Sequence, residues 1–191
     1  VYTEFLSKVK GMGPLLAIRL LALPLDPHKN LSSWWAYFGL TPHYFECICE
    51  AGCKFLAPKA PARCRCGAPV KTVVFIDKAP RKKKGYTVFW NKRANALAFL
   101  ITQSLIKARG YYYQLYRQKK ETLAKENPGL TKGHIDARAR RYMIKLFIAH
   151  YYQAYCELNN IPYQLPYSID ILKHDSLIYW REAIEREKGD A

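Results

Sequence analysis

Acidic side chains are the scarce component of this chain: 15 Asp and Glu stand against 31 Lys and Arg, a formal charge of +16 at pH 7. That imbalance predicts a polyanionic partner, nucleic acid or an anionic membrane surface, and carries no information about fold. Long hydrophobic runs are missing as well. No stretch reaches the roughly 18 apolar residues of a membrane span, and the N-terminus lacks the basic, apolar, small-residue order of a signal peptide. The expectation is therefore a cytoplasmic protein, associated with the nucleoid or carried in a viral particle, with no membrane partner. Internal repeats and low-complexity tracts are absent too. What is present suffices for a core: 50% of residues are hydrophobic and 14% aromatic, which excludes disorder over most of the length.

The segment Val9-Lys-Gly-Met-Gly-Pro-Leu-Leu-Ala-Ile-Arg19 reads as a helix-hairpin-helix. Phe5, Leu6 and Val9 supply the inner face of a first helix, Gly11 and Gly13 flank Met12 in the hairpin, and Ala17, Leu20 and Leu21 continue a second helix at helical spacing. Pro14 suits the first turn. Glycines there let backbone N–H groups approach a phosphate, with Lys10 and Arg19 adding charge. The competing reading is an ordinary turn between two core helices.

Beyond the prolines at 24 and 27, Asn30 or Ser32 can cap a short helix through Trp34, Trp35, Tyr37 and Phe38 that Gly39 ends. Residues 43–70 lose helical period and hold five of the six cysteines, as Cys47-x-Cys49-x3-Cys53-x10-Cys64-x-Cys66 followed by Gly67. Two close groups of thiols separated by a short loop suit a tetrahedral metal. We assign Cys49, Cys53, Cys64 and Cys66 as ligands of a structural Zn2+, with Cys47 as the alternate to Cys49; disulfides and unliganded thiols are the competing readings. Four sulfur ligands leave no open position for a catalytic water, and so small a module needs the metal's free energy to order. Cys156 stands apart and reads as a buried free thiol.

Lys71–Ile76 is a β-branched run and reads as a strand. A basic loop follows, with Lys78, Arg81, Lys82, Lys83 and Lys84, then Lys92 and Arg93 at a helix start. A charge run by itself is usually solvated surface; in a chain of this charge we assign it to phosphate contact, which gives affinity without sequence choice. Tyr86, Phe89 and Trp90 read as packing residues before stacking platforms, as do the tyrosines at 111–113 and 151–152. Three long helices are expected, from Asn91 to Arg109, from about Tyr111 to Glu126, and from about Ile135 to Asn159. In the last, Ile135, Ala139, Tyr142, Met143, Leu146, Phe147 and His150 form the buried stripe, and Arg138, Arg141 and Lys145 share another face. His134 and His150 read as packing residues. An extended tail over 161–172 and a short helix from about Ser176 to Lys188 complete the chain. The fold class expected is mainly α: a helix-hairpin-helix region (1–42), a zinc-ribbon-like insertion with one or two short strands (43–76), a basic loop and bundle of long helices (77–160), and a C-terminal tail and short helix (161–191).

Three segments carry a resemblance: Phe5-Leu-x4-Gly-Met-Gly-x3-Ala-x2-Leu20, then Ala36-Tyr-Phe-Gly-Leu-Thr-Pro42, then a basic loop with Trp90-Asn91. Their order resembles the C-terminal transposase domain of the insertion-sequence recombinases that carry a separate N-terminal RuvC-like domain. Gly133-His-Ile through His150 is similar to an archaeal branch of that family. The resemblance spans about residues 3–158, with the cysteine module as an insertion. It implies an α-helical DNA-binding domain acting in an oligomer, in some members with a guide RNA. Those enzymes pair an acidic tetrad with a serine in the loop after Gly-Leu-x-Pro. This chain has no serine between Ser33 and Ser104 and its 191 residues hold no acidic N-terminal domain, so no catalytic residue carries over. DNA is thus the expected partner and homo-oligomerisation the expected assembly. The alternatives are a structural DNA-coating or chromatin-like protein of an archaeon or virus, and an RNA- or ribosome-associated factor.

Overall fold

Helices begin where the sequence places capping chemistry. The computed structural model describes residues 1–163 and 178–189. Pro14 opens α1 (Pro14–Leu21) at a position that needs no N–H. Ahead of α2 (Leu31–Phe38), Asn30 Oδ1 accepts the Ser33 N–H at 3.0 Å, so Asn30 rather than Ser32 is the cap. Asn91 Oδ1 accepts the N–H groups of Arg93 and Ala94 at 2.9 and 3.0 Å and starts α3 (Lys92–Ala108). Gly110 precedes α4 (Tyr111–Glu126), and Thr131 caps α5 (Lys132–Leu158) through the His134 N–H. The last described helix is α6 (Trp180–Gly189).

Packing divides the chain into two units, residues 1–34 with 96–191 and residues 35–95. The first is helical. Helices α4 and α5 pack against each other, and aromatic rings fill the interior: Tyr112 against Phe147 with ring centroids 5.4 Å apart, Phe147 against Phe5 at 5.9 Å, and Phe5 edge-on to Trp180 at 6.0 Å. Trp34 sits among Tyr151, Tyr152 and Tyr155 and donates its indole N–H to Asp26 O at 2.9 Å. Tyr111, Tyr112, Tyr151 and Tyr152 are core, as expected, while Tyr113 is half-buried.

The second unit is built on a three-stranded antiparallel sheet of order β2-β1-β3, made of β1 (Tyr44–Cys49), β2 (Lys54–Ala57) and β3 (Val70–Ile76). Cys47 pairs across the sheet with Phe55 on one side and Val73 on the other, and is buried. The sequence predicted one or two strands here. Only β3 has the β-branched run that announces itself; β1 and β2 are short, carry cysteines and charges, and form because hairpin closure and the two neighbouring ladders stabilise them together.

Three other expectations are corrected. Phe5, Leu6 and Val9 are buried as foreseen, but the segment forms a single 3-10 turn at Leu6–Lys8 rather than a first helix. The apolar segment over residues 5–9 is short and Gly11, at φ +95°, breaks it, so helix nucleation is not repaid. Leu21 is 38% exposed, since Ala17 and Leu20 already fill the inward side of α1. Tyr142 is 42% exposed, its ring covered by the Lys119 ammonium at 5.5 Å, and drops out of the buried stripe of α5. The tail expected over 161–172 and the helix start at Ser176 fall largely outside the described residues.

Candidate metal centre and basic groove

Two tight turns bring four thiols to one point. The first closes β1 onto β2: Cys49 N–H bonds Cys53 O at 3.1 Å and Gly52 N–H bonds Cys49 O at 2.9 Å, with Gly52 at φ +81°. The second repeats that logic at Cys64–Ala68, where Gly67, at φ +90°, donates to Cys64 O at 2.9 Å and Cys64 donates to Ala68 O at 2.9 Å. Both glycines occupy the left-handed region, where a side chain is strained. The ligand atoms of Cys49, Cys53, Cys64 and Cys66 all lie within 4.8 Å of one another. Cys66 Sγ is 3.7 Å from Cys49 Sγ and 3.9 Å from Cys53 Sγ. Sulfurs at the corners of a tetrahedron with Zn–S bonds of about 2.3 Å stand about 3.8 Å apart. The set is close enough to hold a metal ion. All six cysteines are free thiols. Cys47, the alternate, stands two residues back in mid-strand and is not part of the cluster.

The cluster is electrostatically unhappy as bare thiols. Backbone hydrogen bonding from Ala68 lowers Cys66 to about 7, while hydrogen bonds and charge from Cys49 and Cys66 push Cys53 up to about 12. Once one sulfur ionises, its neighbours resist. A divalent cation removes that conflict by accepting all four as thiolates.

The basic loop folds beside this module within the same unit. Two segments of the sequence pattern meet to fix it: Asn91 N–H bonds Tyr37 O at 2.9 Å, Asn91 Nδ2 donates to Tyr37 Oη at 2.9 Å, and Asn95 Nδ2 donates to Phe38 O at 2.8 Å. Gly39, at φ +71°, lets Trp90 lie against the backbone; a Cβ there would be 2.9 Å from the ring. Trp90 thus anchors an open groove of about 620 Å³ whose wall includes Arg65, Lys82, Lys92 and Arg93, with Tyr86, Asn91 and Trp90, and no carboxylate. An adjoining hollow of about 350 Å³ adds Arg81. Lys83 is committed elsewhere, ion-paired to Glu46 and lying 4.7 Å from the centre of the Tyr86 ring. Lys78 and Lys84 are exposed on the loop and line neither hollow. Arg65 was not foreseen: a single charge between two cysteines makes no run, and only the turn that presents Cys64 and Cys66 aims it at the groove.

The remaining sequence-derived residues lie in the helical unit. Met12 is buried, and Gly11, at φ +95°, packs on α3, where an added Cβ would stand 2.9 Å from Ala108 Cβ and from Ser104 O. Ser104 Oγ donates to Gly11 O at 2.6 Å. Gly13 has open space around it, and Arg19 is exposed in the last turn of α1. Lys10 lies beside Gly110, where a Cβ would come within 2.8 Å of its own. On α5, Arg138 is exposed, and burial together with the Arg141 charge lowers half-buried Lys145 to about 8. His150 is a core residue: Tyr112 Oη meets its Nδ1 at 2.7 Å, its Nε2 meets Ile178 O at 2.9 Å, and burial drops it to about 4, so it is neutral. Cys156 is buried. Among the described residues, no helix is long and apolar enough to cross a membrane. Comparison with known protein families, with curated proteins and with solved structures found no match in any of the three.

Proposed function

We propose that this chain is a DNA-binding domain of the transposase type, stapled by one structural Zn2+ on Cys49, Cys53, Cys64 and Cys66, that holds the phosphate backbone in the groove of its sheet unit. The observation that carries the reading is the groove wall: four cationic side chains from three separate stretches of sequence, with two aromatic rings and no acid. Arg65, Lys82, Lys92 and Arg93 neutralise phosphates and fix register without reading bases. The meeting of Tyr37–Gly39 with Trp90 and Asn91 also supports it, because these are two of the segments that carry the resemblance to the insertion-sequence recombinases. In this reading the turn before α1 is a second grip, with Gly13 allowing the first amides of the helix near a phosphate and Arg19 adding charge. Arg138, Arg141 and Lys145 form a third basic face, on α5.

Half-buried Tyr86, backed by the Lys83 ammonium, favours a second reading in which a base of single-stranded DNA or RNA stacks on it. Binding to labelled duplex DNA, single-stranded DNA and RNA of matched length separates the two. Lys82→Glu and Lys92→Glu should each weaken duplex binding uniformly across sequences and lower the salt slope by about 1. Tyr86→Ala should leave duplex affinity intact and weaken only the single strands. Wild-type duplex affinity in the double Lys82→Glu/Lys92→Glu variant defeats the groove assignment.

A further inference from the structure

Among the described residues nothing pairs with the outer edge of β3. The opposite edge of the sheet is closed: Thr87 donates to Lys54 O at 3.0 Å and accepts the Leu56 N–H at 2.8 Å. Those two bonds set the parity of every strand. Lys54 and Leu56 turn their backbone groups away from β1, so Phe55 and Ala57 bond to it; through the pairs Cys47↔Phe55 and Glu46↔Val74, the residues of β3 bonded to β1 are Thr72, Val74 and Ile76. Val73 and Phe75 therefore direct N–H and C=O outward. Only Val70, at the start of the strand, is covered, by a bond to Ala62 O at 3.0 Å. Val73, Val74 and Phe75 are 43%, 46% and 53% exposed. Edge strands are ordinarily guarded by proline, a charge within the strand, a bulge or a covering segment; in β3 Lys71 and the bulge at that residue guard the start of the strand, and the five residues from Thr72 to Ile76 have none of these.

We infer that β3 is a dimerisation edge, pairing antiparallel with β3 of a second copy of this chain about a two-fold axis at Val74. The end charges choose the partner and the register. With Val74 facing its own counterpart, Val73 faces Phe75 of the second copy and Thr72 faces Ile76, and Lys71, at the bulge where the regular register ends, comes next to Asp77 just past the other end, each pair occurring twice by symmetry. Opposite charges close both ends and an aromatic residue meets a β-branched one on either side of the axis, the pairings that stabilise antiparallel ladders. A slip of two residues either way separates Lys71 from Asp77. Within the described chain neither of these residues pairs with an opposite charge. The inference stands on the sheet alone and is independent of nucleic-acid binding.

Sedimentation of the zinc-loaded full chain without nucleic acid, across a concentration series, tests it. The wild type forms a dimer. Val73→Pro removes an N–H that points outward, a substitution an edge strand tolerates, and yields a monomer with unchanged circular dichroism. Lys71→Glu and Asp77→Lys each place like charges at both ends and weaken the dimer about tenfold, and the double variant Lys71→Glu/Asp77→Lys restores it. A wild-type monomer throughout the series, a dimer indifferent to Val73→Pro, or a double variant no stronger than the singles overturns the assignment. Should Val73→Pro fail to fold, the charge-swap set decides by itself.

Discussion

Gly11 and Gly13 stand two residues apart and answer to different constraints. Gly11 combines a positive φ with backbone and side-chain atoms of α3 at 2.9 Å from where a Cβ would sit, whereas Gly13 is extended and open. Gly11→Ala should therefore cost about 1–3 kcal/mol of stability, the range for overpacking. Gly13→Ala should cost about 1 kcal/mol, because Gly13 is the N-cap of α1 and alanine is a poor N-cap residue, with no clash added. Under the proposed function it should lower DNA affinity about tenfold by obstructing a charge-assisted contact. Thermal melts beside anisotropy titrations check both; a Gly13→Ala protein that binds normally restricts this turn to a structural role. Sequence spacing located both glycines but could not separate them, because the difference is made by Ser104 and Ala108, more than ninety positions away. The ligand set was legible for the opposite reason. Metal ligands within one turn are local, and Cys47 falls out simply because two residues of extended strand carry it about 6.6 Å from Cys49.

The cysteine-bearing strands and the long helices draw stability from different sources. The helices have continuous apolar stripes, Ile135, Met143 and Phe147 of α5 among them, whereas β3 is exposed along most of its length. Removing the metal should thus melt the sheet unit and spare the helical one. Cys66→Ser, or chelation of the wild type, is expected to abolish zinc binding and raise hydrogen exchange over residues 43–76 to near-unfolded rates while residues 111–158 stay protected. Cys47→Ser should retain one zinc per molecule. Equal protection of both regions after chelation would show that the metal is dispensable to the fold. At this scale the three long helices were readable from their 3.6-residue period and their caps. The first helix and the hairpin strands were misjudged because their existence depends on partners: a five-residue apolar segment and a four-residue strand hold no period of their own.

For the whole molecule, under the proposed function, the charge of +16 sets how binding should respond to the medium. If about 6–10 phosphates are engaged, affinity should fall by about 10³–10⁵ between 50 and 200 mM salt. A flat titration over that interval is incompatible with backbone gripping. Net charge was the easiest property to read, yet it could not say which cations converge. Lys82, Lys92 and Arg93 meet in one groove, while Lys83, in the middle of the same run, spends its charge on Glu46.

Arg65 sits between two metal-ligand cysteines and also forms part of the groove wall. The turn that presents those sulfurs is the same turn that places the guanidinium on the groove wall, so under the proposed function the ion and the polyanion would act on one piece of backbone. Thermodynamic reciprocity then applies: the factor by which metal loading tightens the grip on a phosphate is the factor by which the bound phosphate raises the affinity for the metal. A chelator competing for zinc would meet a tighter opponent in the nucleoprotein complex than in the free chain, and a cell short of zinc would lose the unbound copies first.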